Sequence, residues 1–296
     1  MLAFPPGTYT ALVTPLSADS QSVDFDAYDR LVANQIENKI TGIIPCGTTG
    51  ESPTLSEAEK RELVRRSVAL AKGKAQVVVG TGSNNTKHTI ESSVAAMEAG
   101  ADGVMLVTPY YSKPSQEGLF QHVSAVAKAV PAPIMLYNVP GRSVTELAVE
   151  TLLRILEACP NVHGIKDASG NVLYCQDLLQ KAEGRIQLFS GDDPLTLPLM
   201  SVGAVGVVSV TSNLYPRAVS EVVLDALAGR YAEAERKHRR LYPIHRALFM
   251  EPSPQPTKAA LALKGRINAS VRLPLVEASA ECRARLSELM AAFEAA

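Results

Sequence analysis

The sequence predicts an α/β protein, a (β/α)8 barrel of the TIM-barrel type followed by a C-terminal helical extension. Three observations carry that reading. Eight short apolar runs alternate with amphipathic segments from the start of the chain to about Ala228. They recur at intervals of roughly 20–35 residues, the length of a βαβ unit. Most are continuously apolar, as in parallel strands covered on both faces. A doubly wound sheet is the competing architecture, but its nucleotide fingerprints are missing. Val79-Gly80-Thr81-Gly82-Ser83-Asn84-Asn85 lacks the third glycine of GxGxxG, and no GxxxxGK[ST] occurs.

In chain order, the expected strands are residues 9–13, 42–45, 76–80, 103–107, 134–137, 162–166, 186–190 and 205–209. The intervening segments carry helix signals. Phe25, Tyr28, Leu31 and Val32 recur at helical spacing, as do Leu119, Val123, Val126 and Val130. Ser56-Glu57-Ala58-Glu59 reads as a capping box. Asn85 and Asn171 are placed as N-caps, and Asp193-Pro194 reads as an N-cap before a proline at the first helical position. After Arg230 only helical patterning remains, over residues 231–249, 256–263 and 278–293. A proline-rich link, Glu251-Pro252-Ser253-Pro254-Gln255-Pro256, joins the first two. The expected organisation is a catalytic barrel over residues 1–228 and an extension over 229–296 that packs on the barrel or on another subunit.

Composition excludes several classes. The 296 residues are 46% hydrophobic and 20% charged, which fits a sizeable core. A net charge of -1 with no basic stripe gives no electrostatic basis for nucleic-acid or membrane-surface binding. No apolar run approaches a membrane span, and the N-terminal residues lack the basic and apolar regions of a signal peptide. Cys46, Cys159, Cys175 and Cys282 are scattered, with no CxxC pair, which suits a reducing cytoplasm. His88, His122, His163, His238 and His245 show no HExxH or HxH spacing, so no metal site is expected. Cys46 has no histidine placed to activate it and reads as a packing residue. The run Arg236-Lys237-His238-Arg239-Arg240 reads as a solvated helix face.

In a barrel, chemistry sits at the C-terminal ends of the strands. There the second strand is followed by Gly47-Thr48-Thr49-Gly50-Glu51, whose N–H groups and hydroxyls suit a carboxylate or phosphate. The fourth is followed by Thr108-Pro109-Tyr110-Tyr111 and the fifth by Tyr137-Asn138-Val139-Pro140-Gly141-Arg142. The sixth ends in Lys166, the seventh in Ser190-Gly191-Asp192-Asp193 and the eighth in Ser209. A lysine on a buried strand loses hydration, which lowers its pKa and favours the neutral, nucleophilic amine. That set suits Schiff-base chemistry on a 2-oxo acid, with the Thr-rich turn on its carboxylate and a tyrosine moving protons. Arg142 can fork onto a second carboxylate. Taken singly, each residue also has an ordinary reading. Glu51 can be solvated or capping, the tyrosines can pack, Arg142 can be a surface charge and Asp193 an N-cap.

The segments GTTGE, TPYY, YNVPGR and GIKDASGN, in this order and spacing, resemble the 4-hydroxy-tetrahydrodipicolinate synthase (dihydrodipicolinate synthase) family. That family belongs to the pyruvate-dependent class I aldolases, with N-acetylneuraminate lyase and keto-sugar-acid aldolases. The likeness runs from Gly7 to about Leu263. It implies that Lys166 forms an imine with pyruvate and that Thr49 and the adjacent backbone hold its carboxylate. Tyr137 would be the general acid and base, with Thr48 and Tyr111 completing a proton relay. In this family the matching tyrosine reaches in from the neighbouring subunit, so a homodimer or homotetramer is expected. Arg142 would bind the carboxylate of L-aspartate 4-semialdehyde, and Gly191 and Val208 would line the site. The implied product is 4-hydroxy-2,3,4,5-tetrahydrodipicolinate, the first committed intermediate of the diaminopimelate route to lysine, formed without a cofactor.

Departures from the family pattern concern regulation more than chemistry. Ser143-Val144 stands where Thr-Gly is common. Ser52, Asn84 and Tyr110 match the interface site that binds free lysine in inhibited members. Glu57, Lys60 and His88 do not match its His, His and Glu, so weak or absent feedback is expected. The alternatives are a sister aldolase acting on a neutral aldehyde, or a non-catalytic barrel that senses 2-oxo acids.

Overall fold

The computed structural model describes residues 3–295. Eight parallel strands close on themselves in sequence order. They are β1 (Gly7–Ala11), β2 (Gly42–Ile44), β3 (Gln76–Gly80), β4 (Gly103–Val107), β5 (Ile134–Asn138), β6 (Val162–Asp167), β7 (Gln187–Ser190) and β8 (Gly206–Ser209). Between them lie α1 (Phe25–Glu37), α2 (Glu57–Ala71), α3 (Thr86–Glu98), α4 (Gln116–Ala129), α5 (Pro140–Ser143), α6 (Val149–Ala158), α7 (Val172–Ala182) and α8 (Thr196–Ser201). The chain continues through α9 (Pro216–Leu227), α10 (Tyr231–Ala247), α11 (Gln255–Leu263) and α12 (Ala280–Ala295).

All eight expected strands form, β3 and β4 with the expected bounds and the other six with shifted ends. β1 starts two residues earlier than its apolar run because closure needs those residues: Gly7 and Thr8 pair with Gly206 and Val207 of β8. β5 and β6 each run one residue further, through the pairing of Asn138 with Asp167. The register slips between Ile134 and Met135, so His163 is skipped.

Two apolar layers hold the barrel. The larger lies between strands and helices and includes Leu31, Val64, Val104, Leu152, Ile165 and Leu178. The inner one fills the lumen with Phe4, Tyr9, Ile44, Val78, Met105, Met135, Tyr137, Phe189 and Val208. This is side-chain packing rather than a pore.

The cap signals are met at most places. Ser56 and Glu59 form a reciprocal capping box, and Asn85 and Asn171 accept from His88 N and Tyr174 N, each at 3.1 Å. Asp24 and Ser115 cap α1 and α4 without having been anticipated. Asp193 is a correction. Its carboxylate does not cap the helix that follows it. It accepts from Ser209 Oγ at 2.5 Å, Val210 N at 2.8 Å and Thr211 N at 3.1 Å, fixing the chain beyond β8. The N–H groups freed where β8 ends outcompete its own helix for the buried charge.

After the barrel, α10 packs on α9 and α12, and α11 packs on α12 and on the turn after β8. The basic run on α10 faces solvent for most of its length, as expected. Lys237 is tied to Asp225 at 2.8 Å, and His238 packs against His245. The four cysteines are free and buried, and burial pushes the Cys46 thiol up to about 12, which leaves it inert.

Candidate active site

Lys166 sits on β6 between Tyr137 of β5 and Phe189 of β7 in register. Its side chain is 5% exposed. The amine lies 4.0 Å from the centroid of the Tyr137 ring. Burial lowers its pKa to about 7, with the negative charge of Asp193 opposing the shift and Arg142 adding to it.

The neighbouring residues hold the lysine's backbone. Asp167 accepts from Asn138 Nδ2 at 2.8 Å, Ser169 Oγ at 2.6 Å and Ser169 N at 3.1 Å. Ala168 N donates to Asn138 O at 2.8 Å, and Gly191 N to Asp167 O at 2.6 Å. Gly191 has a steric reason to be glycine. A Cβ there would sit 3.0 Å from Lys166 Cε and 2.9 Å from Ala168 Cβ. Val208 is buried in the same inner layer as Tyr137.

Tyr137 is buried, and loss of hydration raises its phenol to about 12. Arg142 opposes that rise, followed by the Thr48 hydroxyl beside the phenol. Thr48 and Thr49 belong to a tight turn after β2. Gly50 N bonds Gly47 O at 3.1 Å and Glu51 N bonds Thr48 O at 3.1 Å. The N–H groups of Thr48 and Thr49 have no acceptor among the described residues. Two adjacent unpaired donors, one of them on a residue that lines the same cavity as Arg142, can take a carboxylate. Arg142 rides on α5, the short helix after β5, and no carboxylate of the described residues pairs with it.

A cavity of about 790 Å³ opens over Thr48, Tyr137 and Arg142, while Thr49, Gly191 and Val208 do not line it. Gly47, Thr48, Tyr137 and Arg142 form its inner wall, and it runs outward between α2 and α3. Lys166 is not itself part of the wall; its amine lies against the Tyr137 ring, which is. Ser52, Asn84, Tyr110, Glu57, Lys60 and His88 all line the outer part. Lys60 bonds Glu57 at 2.9 Å, and His88 Nε2 stands 3.9 Å from the same Glu57 oxygen.

Tyr111 stands apart. It is 88% exposed, its backbone is left-handed with φ +70°, and it does not line the cavity of its own chain. Sequence reasoning also missed the role of the Glu51 carboxylate, which neither faces solvent nor caps the turn that follows it. It is buried in an ion pair with Lys258 of α11. No local pattern announces a partner so far along the chain.

Fold and site together define a barrel enzyme of the lyase class. Residues 5–293 match the dihydrodipicolinate synthetase family. A 4-hydroxy-tetrahydrodipicolinate synthase of Sorangium cellulosum is 56% identical over 289 residues, covering 98% of this chain and 96% of that one. The 4-hydroxy-tetrahydrodipicolinate synthase structure from Methylacidiphilum fumariolicum superposes with a TM-score of 0.96 at 45% identity, covering 98% and 96% of the two chains. A chloride-inhibited dihydrodipicolinate synthase from Acinetobacter baumannii, solved with pyruvate, superposes with a TM-score of 0.95 at 39% identity, covering 98% and 99%. The chain belongs to the dihydrodipicolinate synthetase family.

Proposed function

We propose that the protein condenses pyruvate with L-aspartate 4-semialdehyde to 4-hydroxy-2,3,4,5-tetrahydrodipicolinate, through an imine on Lys166. One observation carries the reading: an amine brought to a pKa of about 7 by burial, lying against a buried phenol. Near neutral pH about half of such amines are uncharged and nucleophilic, where an ordinary lysine is almost wholly ammonium.

The steps follow from that amine. The Lys166 nitrogen attacks the ketone carbon of pyruvate while the two free N–H groups and the Thr49 hydroxyl hold the carboxylate. Water leaves and the imine forms, with Tyr137 shuttling the protons and Thr48 adjacent to its hydroxyl. Loss of a methyl proton gives the enamine, whose carbon attacks the aldehyde of the second substrate. Arg142 holds that substrate's carboxylate. The substrate's own amine then adds to the imine carbon, closing the ring and freeing Lys166. The balance is one water released, and the iminium serves as electron sink, so no metal or organic cofactor is invoked. Gly191 and Val208 give the lysine side of the site its shape.

Tyr111 completes the proton relay from a neighbouring copy, which suits an exposed tyrosine in a sparsely populated backbone conformation. The working assembly is therefore a homodimer or a dimer of dimers. In the same reading, residues 1–228 are the catalytic barrel and 229–296 the extension, and the enzyme works in the cytoplasm. No helix among the described residues is long and apolar enough to cross a membrane. The test is a coupled assay with pyruvate and L-aspartate 4-semialdehyde, using dihydrodipicolinate reductase to report product as NADPH consumption. Turnover is expected from the native chain and not from Lys166→Ala; no turnover by a folded, oligomeric native chain would refute the reading.

A further inference from the structure

The turn that carries Thr48 and Thr49 ends in a glutamate held from 207 residues further along the chain. We propose that Lys258, through its buried ion pair with Glu51, is a positioning residue for this turn, so that the C-terminal extension sets the enzyme's affinity for the 2-oxo acid. The inference rests on the reading of the turn as the holder of the pyruvate carboxylate.

The geometry is closed on every side. Glu51 is 4% exposed and Lys258 0%. Lys258 Nζ donates to Glu51 Oε1 at 2.5 Å and to Ser270 O at 2.8 Å. The other carboxylate oxygen accepts from Arg272 N at 2.9 Å. Glu51 is left-handed, with φ +57°, a conformation a non-glycine residue keeps only when its surroundings enforce it. Glu51 N closes the turn onto Thr48 O, so the clamped residue is bonded directly to the segment bearing the free donors. Thr14 Oγ1 holds the same turn from the β1 side, donating to Gly50 O at 2.8 Å.

The surrounding chain extends the clamp. Asn268 Nδ2 donates to Leu16 O at 3.1 Å and Ser270 Oγ to Ala18 O at 3.2 Å, joining the segment after α11 to the loop after β1. A fully buried ion pair is a poor device for stability alone, because apolar residues of the same volume commonly serve as well. What it supplies is a fixed direction. Each carboxylate oxygen has a named donor, and the turn can occupy only the orientation that satisfies both. Two backbone donors aimed at a ligand lose affinity when their direction is released, because the ligand must then order them on binding.

The test uses the full chain and pyruvate itself. Lys258→Met, Glu51→Gln and the double variant are compared with the native protein in two measurements. The first is the pyruvate concentration at half-maximal borohydride trapping on Lys166. The second is the set of steady-state constants for both substrates. The single variants are expected to raise half-saturation by pyruvate at least about fivefold. The kcat at saturating pyruvate and the KM for the aldehyde should stay within about twofold. The double variant should be no worse than the weaker single one, because the two residues act as a pair. A smaller rise in folded variants, or activity that falls only in proportion to the folded fraction, overturns the proposal. If Lys258→Met does not fold, Glu51→Gln decides, since it keeps the side chain's size while removing the charge and one of the two acceptors that Lys258 and Arg272 N use. A native chain that traps pyruvate but does not turn over the semialdehyde refutes only the second substrate, and trapping still decides here. A native chain that traps no pyruvate refutes both readings.

Discussion

The Lys166 amine lies 4.0 Å from the centroid of the Tyr137 ring, on adjacent paired residues of β6 and β5. A ring face favours an ammonium, whereas burial favours the neutral amine. Burial prevails and brings the amine to about 7. One contact thus joins the proposed nucleophile to the phenol proposed to serve it.

Imine formation should follow that titration. The folded pKa lies below the ordinary lysine value, so the reactive neutral form accumulates as pH rises through about 7. Initial rates of borohydride trapping with saturating pyruvate should climb about tenfold from pH 6 to a plateau above pH 8. A midpoint near pH 10 would mean that Lys166 is an ordinary lysine.

Arg142→Ala should separate the two substrates. The guanidinium has no carboxylate partner among the described residues and faces the cavity. Its loss should cut kcat/KM for the semialdehyde by roughly 10- to 100-fold, the worth of a charge-assisted contact. Pyruvate trapping should change little. Equal losses for both substrates would assign Arg142 to the pyruvate carboxylate, and a small loss for both would favour a neutral aldehyde.

Free lysine should inhibit weakly or not at all. In the outer cavity Lys60 already pairs with Glu57 at 2.9 Å and His88 stands 3.9 Å from the same carboxylate oxygen, so that anion is engaged by side chains rather than open to an α-ammonium. An inhibition curve run to millimolar lysine should be nearly flat. Strong inhibition at sub-millimolar lysine would show that the cavity binds it by other groups.

His245 should make the fold acid-sensitive. It is buried, its Nδ1 lies 2.8 Å from Thr211 Oγ1, and burial lowers its pKa to about 4. Asp193 opposes that shift and His238 adds to it. The unfolded chain takes up this proton near pH 6.5 and the folded chain only near 4, so stability is complete above 6.5 and is lost as pH falls toward 4. Between those limits the slope from one proton is about 1.4 kcal/mol per pH unit. Denaturant unfolding of His245→Gln should show a correspondingly shallower loss from pH 6 to 4.5. Parallel curves would mean that other groups carry the acid sensitivity.

Much of the barrel was legible because its signals are local. Continuous apolar runs mark strands covered on both faces, and Ser56, Asn85 and Asn171 cap residues only three positions away. Closure was not local: Gly7 and Thr8 belong to β1 because β8 is their neighbour. The same distinction governs the site. Lys166, Tyr137 and Arg142 could be gathered because barrel strands bring their C-terminal ends to one mouth. Asp193 was misassigned because a local proline signal points to an N-cap, while its carboxylate is claimed by N–H groups beyond β8. Glu51 was misread because its partner, Lys258, lies in the extension.

The most direct test is to incubate the protein with pyruvate, reduce with borohydride and locate the adduct by peptide mass spectrometry. One reduced pyruvate is expected on the peptide containing Lys166 and none in Lys166→Ala. An unmodified chain, or an adduct on another lysine, would contradict an imine on Lys166.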